Sequence, residues 1–387
     1  MLQGLFNSLS GMLGFSKGLD TIGNNISNMN TPGFRGENSF FENVADGIGT
    51  QVSDSFTDTS QGDIQQTGTS TDVAINGNGL FILRDPNGNT FYTREGHFQF
   101  DPNGNLVDDT TGYRVAGINS AGGLVDFNIS DLTTLPPVAT TTVNFSGNLA
   151  LGDSPKAISG MQVYDATGTA HTLTATFTSN KAVTTGSWLV VVKDETGATV
   201  GNGEIRFDST GALTAGFSSM TLNLDYNGNP QKIGLAFGTP GTFSGTTSIP
   251  GATTSLGGQV ADGHGVLGMS TVGFDSDGVL QITYSDAEKK AGPQLGLAHV
   301  ADEQSLLLDS GALYTAPPGL GVTVGKAGAS VFGNIGGGSL ELSNVDLSRE
   351  LTQMIIVQRG YQASSRVMTV TDAMLQQLYS STGGGGG

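Results

Sequence analysis

From Val345 to Ser381 the chain reads VDLSRELTQMIIVQRGYQASSRVMTVTDAMLQQLYSS, a stretch with no proline and a single glycine in a protein that holds 60 glycines. Leu347, Met354, Tyr361, Met368 and Leu375 recur every seven residues, and Leu351, Ile355, Val367, Met374 and Leu378 widen that line. Such spacing keeps one stripe of a helix apolar along its length, so a long amphipathic helix is expected here. The other end of the chain repeats the pattern. Leu5, Met12, Leu19 and Ile26 also fall seven apart, flanked by Leu2, Phe6, Leu9, Leu13 and Ile22. The two heptad segments lie at opposite termini of 387 residues, and the simplest way to bury both is against each other or against other copies.

The first helix is expected from about Gly4 to Ile26, where Gly11, Gly14, Gly18 and Gly23 each cost it up to ~1 kcal/mol relative to alanine. Alone in water it would be marginal, since most helix stability comes from packing. Asn24, Asn25, Asn28 and Asn30 then crowd its end, and Thr31-Pro32-Gly33 fixes a turn.

Between the ends the composition changes. Only 13% of residues are charged and glycine is abundant, which points to β-structure with many tight turns in two to four domains. With no cysteine, the chain has no disulfide, thiol nucleophile or cysteine-based zinc site. No apolar run reaches the length of a membrane span, and the N-terminus lacks the basic start and continuous apolar block of a cleavable signal peptide. The ends are near neutral, so almost all of the net charge of −18 falls in the middle. An acidic middle stays hydrated and disfavours nucleic acid.

Asp85-Pro86-Asn87-Gly88 and Asp101-Pro102-Asn103-Gly104 are hairpin signals. A pattern Phe-Asp-x-x-Gly-x-Leu recurs at Phe100, Phe207 and Phe274, read as a strand, an Asp-started turn with glycine at positive φ, and a return strand. Thr133 to Thr142 reads as an extended linker, and about 241–263 as a Gly/Ser/Thr loop. The resulting expectation is a mainly β, nested chain with terminal helices. Residues 1–30 and 345–387 form a terminal-helix assembly domain, 31–70 and 316–344 extended connectors, 71–144 and 264–315 an inner β domain, and 145–263 an outer β domain inserted in it.

No set of catalytic residues emerges. His97, His171, His264 and His299 include no i, i+3 or i+4 pair, and each is expected to face solvent or end a strand. The turn aspartates Asp85 and Asp101 sit where turns need them. Gly263 to Gly268 fits G-x-G-x-x-G but lacks the flanking strand and helix. Asp101-x-Asn103-x-Asn105 begins like a calcium loop, yet Leu106 and Gly112 replace the required glycine and glutamate. No metal, cofactor or enzymatic activity is therefore expected.

GNNISNMNTPGFRGE (Gly23 to Glu37) and SNVDLSRELTQMIIVQRGYQASSRVMTVTDAMLQQL (Ser343 to Leu378) resemble the paired terminal signatures of the bacterial flagellar rod and hook axial proteins. The signature residues are Asn24, Asn25, Asn28, Thr31, Pro32, Gly33 and Phe34 at one end, with Asn344, Val345, Asp346, Leu347, Gln358, Arg359 and Tyr361 at the other. Thr71 to Ile118 also resembles the β domain shared by rod and hook proteins, and the 145–263 insertion resembles the hook's own middle domain. The resemblance implies a structural subunit of the flagellar hook that polymerises helically, with a shorter distal rod subunit as the nearest competitor. A secreted β-domain adhesin or carbohydrate-binding module is the alternative from another class. The resemblance further implies copies of itself as partners, together with rod, hook cap and hook–filament junction proteins. It implies type III export to the extracellular flagellum, without membrane insertion. The run Gly383 to Gly387 departs from the family pattern and reads as an appended tail or linker.

Overall fold

The computed structural model describes residues 2–43, 50–150, 155–226 and 228–383; Gly384 to Gly387, most of the terminal glycine run, lie outside them. The chain divides into two compact units, Met1–Leu132 with Ser270–Gly387, and Thr133–Met269.

Two helices, α1 (Leu2–Ser27) and α2 (Leu347–Gly383), close the first unit at its chain ends, so the expected architecture of β domains with paired terminal helices is the observed one. The β part is built on the strand Lys289–Val300. Along its length this strand pairs antiparallel with Val279–Thr283, Arg114–Ile118, Leu80–Arg84 and Val322–Lys326. Leu80, Phe81, Ile82 and Leu83 are all buried, as for a strand covered on both faces. Phe81 meets Phe98 edge-on at 5.1 Å on one side, while Leu80 and Ile82 pack with Tyr92, Ala116, Ala298 and Tyr314 on the other.

The second unit is a sandwich. A four-stranded antiparallel sheet (Lys156–Tyr164, Ala170–Ser179, Ser187–Lys193, Thr199–Arg206) shares one core with a five-stranded sheet that includes Thr142–Asn148, Ser219–Tyr226 and Asn229–Ala236. Leu173, Ala175 and Phe177 alternate inward from one strand, and Trp188, Val190 and Val192 from the next, which is the period of two a half-buried strand requires.

Two segments differ from the extended connectors expected. Residues 31–70 contain an antiparallel hairpin, β1 (Glu37–Asn43) with β2 (Thr50–Thr57), which lies along α1. Phe41 reaches Phe15 at 5.5 Å and Phe40 stacks on Phe56 at 4.6 Å, so the scattered aromatics of this polar stretch are the hairpin's apolar contacts. Thr133 to Thr142 is not free linker either: Thr134–Leu135 pairs with Leu267–Gly268, joining the entering and leaving strands of the second unit.

One turn recurs through both units. At Asp101, Asp208 and Asp275, and equally at Asp85, Asp165 and Asp194, the carboxylate Oδ1 accepts the N–H groups two and four residues on. The glycine three residues on donates back to the aspartate carbonyl, with φ of +79° at Gly104, +89° at Gly211 and +72° at Gly278. This is the three-residue hairpin loop whose last position is left-handed and favours glycine. The side-chain amide of Asn105 holds the Asp101 carboxyl below the usual range, and the Thr167 hydroxyl draws Asp165 down to about 2. A carboxyl with a lowered folded pKa contributes stability above its unfolded value of about 3.9, and that contribution fades as pH falls through the folded value. Asn119 makes the same turn with an amide oxygen, accepting from Ala121 and Gly123 at 3.0 and 2.8 Å. Asp101→Asn and Asp208→Asn should therefore leave the hairpins formed at neutral pH. They should also flatten the fall in denaturant midpoint between about pH 4 and pH 2. Unfolding of either variant at pH 7 would refute this account.

Candidate assembly site

The helix pair and its base are the candidate functional site. The buried residues of α1 are Ser8, Gly11, Gly14, Gly18, Ile22 and Asn25. Gly4, Ser8, Gly11, Phe15, Gly18, Ile22 and Asn25 alternate by four and three, the spacing of a coiled-coil seam. On α2 the buried and half-buried residues Glu350, Met354, Val357, Ser364, Met368, Thr371 and Leu375 keep the same rhythm except between Val357 and Ser364, where the exposed Tyr361 takes the intervening position. The helices run antiparallel: a Cβ on Gly4 would lie 3.7 Å from Thr371 Oγ1, one on Gly11 2.9 Å from Ser364 Oγ, and one on Gly18 3.6 Å from Val357 Cγ1. Gly360, within α2, is where Phe15 lies. A Cβ there would stand 2.5 Å from the ring. Two of the glycines read from sequence as a cost to α1, Gly11 and Gly18, thus leave the room that Ser364 and Val357 of α2 occupy, while Gly23 has nothing within 4 Å.

This changes the position of the heptad residues. Leu5, Met12, Leu19 and Ile26 are half-buried on the flank of the seam. On α2, Met354, Met368 and Leu375 are half-buried within it, while Leu347, Leu351 and Tyr361 are exposed. Ile355, Val367 and Met374 are each more than half exposed. On α1 the exposed apolar residues are Phe6, Leu9 and Leu13.

The two terminal signatures meet at the base of the pair. Asn25, almost fully buried, donates to the Glu37 carbonyl at 2.8 Å and accepts its N–H at 2.9 Å, so one side chain ties the end of α1 to β1. The Asn28 amide donates to the Asn24 carbonyl and side chain, both at 3.0 Å, and Thr31 donates to Asn28. Pro32 is half-buried, and Gly33 turns at φ +69° with its site closed by the Glu95 backbone nitrogen, 2.4 Å from where a Cβ would stand. Its N–H donates to the Glu341 carbonyl at 2.8 Å. Phe34 is buried beside it, and Arg35 pairs with Glu303.

From the other end, Asn344 Oδ1 accepts the Gly36 N–H at 2.8 Å while its amide donates to the carbonyls of Asp58 and Ser60. Val345 lies against Gly36. Asp346 caps α2, accepting the N–H groups of Ser348 and Arg349 at 2.7 and 3.2 Å. Gln358 and Arg359 face outward on α2.

Beneath this elbow the Arg94 guanidinium and the Glu341 carboxylate, each 2% exposed, approach to 3.1 Å as an ion pair in which the Nε–H is not aimed at the oxygen. Arg94 also donates to the Gly79 and Gly77 carbonyls at 2.7 and 2.8 Å, and Glu341 accepts the Gly62 N–H. Burial pushes the Glu341 carboxyl up and Arg94 draws it back down; burial likewise lowers the Arg94 guanidinium, against the pull of Glu341. Neither residue was singled out from sequence, because an ion pair 247 positions apart leaves no local pattern.

The histidines do not share one environment. His97, 41% exposed just before the strand Phe98–Phe100, contacts Asp72 at 2.8 Å, and His171, near the start of the strand Ala170–Ser179, stacks on Tyr226 at 3.8 Å beside Asp165. The Asp101 carboxylate is spent on its own turn. No group of three or more metal-capable side chains forms among the described residues, and no helix there is long and apolar enough to cross a membrane.

Four family descriptions match the chain in order. Residues 5–35 match the flagella basal body rod protein and 74–150 the flagellar hook protein FlgE/F/G D1 domain. Residues 153–263 match the flagellar basal body protein FlaE D2 domain and 337–380 the flagellar basal body rod FlgEFG protein C-terminal region. The flagellar hook protein FlgE of Salmonella typhimurium strain LT2 is 30% identical over 410 residues, covering 96% of this chain and 98% of that protein. The flagellar hook protein FlgE of Escherichia coli K12 is 32% identical over 409 residues, with the same two coverages of 96% and 98%. The crystal structure of Helicobacter pylori flagellar hook protein FlgE2 aligns with a TM-score of 0.46 and 14% identity, over 70% of this chain and 98% of that chain.

Proposed function

Because the chain belongs to the flagellar hook protein FlgE family, and is a structural subunit of the bacterial flagellar hook, we propose that its paired terminal helices are the surface through which copies polymerise. The observation that carries this reading is the apolar surface a single copy leaves open. Leu351, Ile355, Val367 and Met374 are 45%, 54%, 51% and 53% exposed on α2. Burying a leucine-sized side chain contributes about 1.5–3 kcal/mol, so these side chains gain several kcal/mol only when other copies cover them.

In the polymer the helix pairs form a stiff inner tube, with the acidic β units outside, sliding past neighbours as the hook bends and transmits torque from rod to filament. Rod, hook cap and hook–filament junction proteins meet the ends of this tube. The subunit reaches the extracellular flagellum through the type III apparatus. The second unit supports a hook over a distal rod subunit, since residues 153–263 correspond to the D2 description. A structural role leaves no need for the catalytic set that the sequence also lacks.

Ile355→Asp and Met374→Asp test the reading at exposed positions. Both should keep the helical signal and stability of the dilute chain within about 0.5 kcal/mol of native. At concentrations where the native chain forms tubes in the electron microscope, both should form none. Tubes of native diameter from both variants would defeat the reading.

A further inference from the structure

Beyond the seam it shares with α1, α2 carries a second heptad line. Ile356, Ala363, Val367, Val370 and Met374 fall at the seven, four, three and four spacing of core positions, about 100° round the helix from Val357. All five are exposed, Ile356 at 64% and Val370 at 53%. α1 has a shorter counterpart on the side away from α2, in Phe6, Leu9 and Leu13, exposed at 57%, 39% and 60%. A helix with two heptad lines is built to touch two neighbours, and one copy supplies only the first.

Resting on the reading that the terminal helices drive assembly, we propose that the second line of α2 seats the Phe6–Leu9–Leu13 face of α1 from a second copy. Three features select this occupant over α2 of the neighbour. The α1 face presents the large Phe6, Leu9 and Leu13, and the part of the α2 line level with them presents Ala363 and the β-branched Val367 and Val370, the size complement that knobs and holes require. The charges also match. Asp20 continues the α1 face one turn below Ser16, and Arg359 borders the α2 line at its lower end, both exposed. A neighbour displaced sideways, keeping the register set by Gly4 with Thr371 and Gly18 with Val357, brings Asp20 level with Ile356 and Arg359, and Phe6 level with Val367 and Val370. Finally, the new contact adjoins the existing seam at Gly360 and joins two different surfaces. That makes it heterologous, as a non-closing helical polymer requires, whereas α2 against α2 is self-complementary and closes a pair.

The absence of cysteine makes the test clean. A Leu9→Cys chain is co-assembled in turn with Ala363→Cys, Val367→Cys, Val370→Cys and Met374→Cys chains, and the tubes are oxidised. A disulfide forms only where Cβ atoms come within about 3.5–4.5 Å. Mixed dimers between Leu9→Cys and at least one α2 partner should exceed both homodimers roughly tenfold, a preference of about 1.4 kcal/mol. Asp20→Arg should raise the concentration needed for tubes, and adding Arg359→Asp should restore it. Tubes whose α2 cysteines cross-link chiefly to each other, or never to Leu9→Cys, would overturn the proposal while leaving helix-driven assembly intact. Tubes that survive Ile355→Asp and Met374→Asp would instead remove the reading beneath it.

Discussion

A chain cut to residues 31–344 is expected to fold, remain monomeric and form no tubes at any concentration at which the full chain assembles. Each β unit has its own core: Phe81, Phe98 and Leu297 in the first, and Phe145, Phe177, Trp188 and Phe237 in the second, are buried without any contribution from the helices. The cut chain keeps the full −18 charge, because the ends removed are neutral, so repulsion between copies persists. The structure adds a local consequence. The β1–β2 hairpin rests on α1 through Phe41 against Phe15 and through Ser39 donating to Thr21 at 2.9 Å. Without α1, the strands Glu37–Asn43 and Thr50–Thr57 should exchange their amide hydrogens far faster than the strand Leu80–Arg84, which lies in the sheet interior. Sedimentation, circular dichroism and electron microscopy of the cut chain check the main claim, and tubes from it would sink the assignment of assembly to the helices.

The terminal helices and the turns were legible because both are local. A seven-residue period in Leu347, Met354 and Tyr361 or an Asp-x-x-Gly turn is written within a few residues, and the structure builds a helix or hairpin at each. What sequence did not yield is which side of each helix faces inward. Periodicity draws the eye to the largest apolar residues, so Leu5 and Met12 marked the stripe and the glycines beside them counted only as cost. In the fold Gly11 and Gly18 lie against Ser364 and Val357, and the larger residues flank them. A glycine's value at a close approach depends on what lies opposite, and α2 is some 340 positions away. The hairpin in residues 31–70 was missed for a related reason. Phe40, Phe41 and Phe56 have too few apolar neighbours in sequence to suggest a strand pair, and it is α1 that supplies the missing surface. The signature residues were legible as a motif but not as a mechanism: that Asn25 binds the Glu37 backbone and Asn344 the Gly36 backbone appears only in three dimensions.

Glu341→Ala should be the most destabilising single substitution at the elbow. It leaves the Arg94 guanidinium 98% buried with its two carbonyl partners and no carboxylate, and it opens the Gly62 N–H. Removing one member of a buried ion pair typically costs about 3–5 kcal/mol, because the remaining charge is stranded away from water. Against a total stability of about 5–15 kcal/mol that is a large fraction, and the urea midpoint should fall accordingly with little change in slope. Arg94→Met alone should be comparably severe, since it strands the carboxylate instead. The double variant Arg94→Met/Glu341→Leu separates two explanations. If the loss comes from an uncompensated charge, replacing both groups with apolar side chains should recover most of it. If the pair is needed because Arg94 also holds the Gly77 and Gly79 carbonyls, the double variant should stay as unstable as Arg94→Met. We expect recovery of the larger part. The two carbonyl bonds contribute about 1.5–3 kcal/mol each when the donor is charged, but their loss is offset by no longer having to desolvate that charge. The Gly33 N–H bond to the Glu341 carbonyl is a backbone contact that survives all three substitutions, so the elbow keeps its course even where its stability falls.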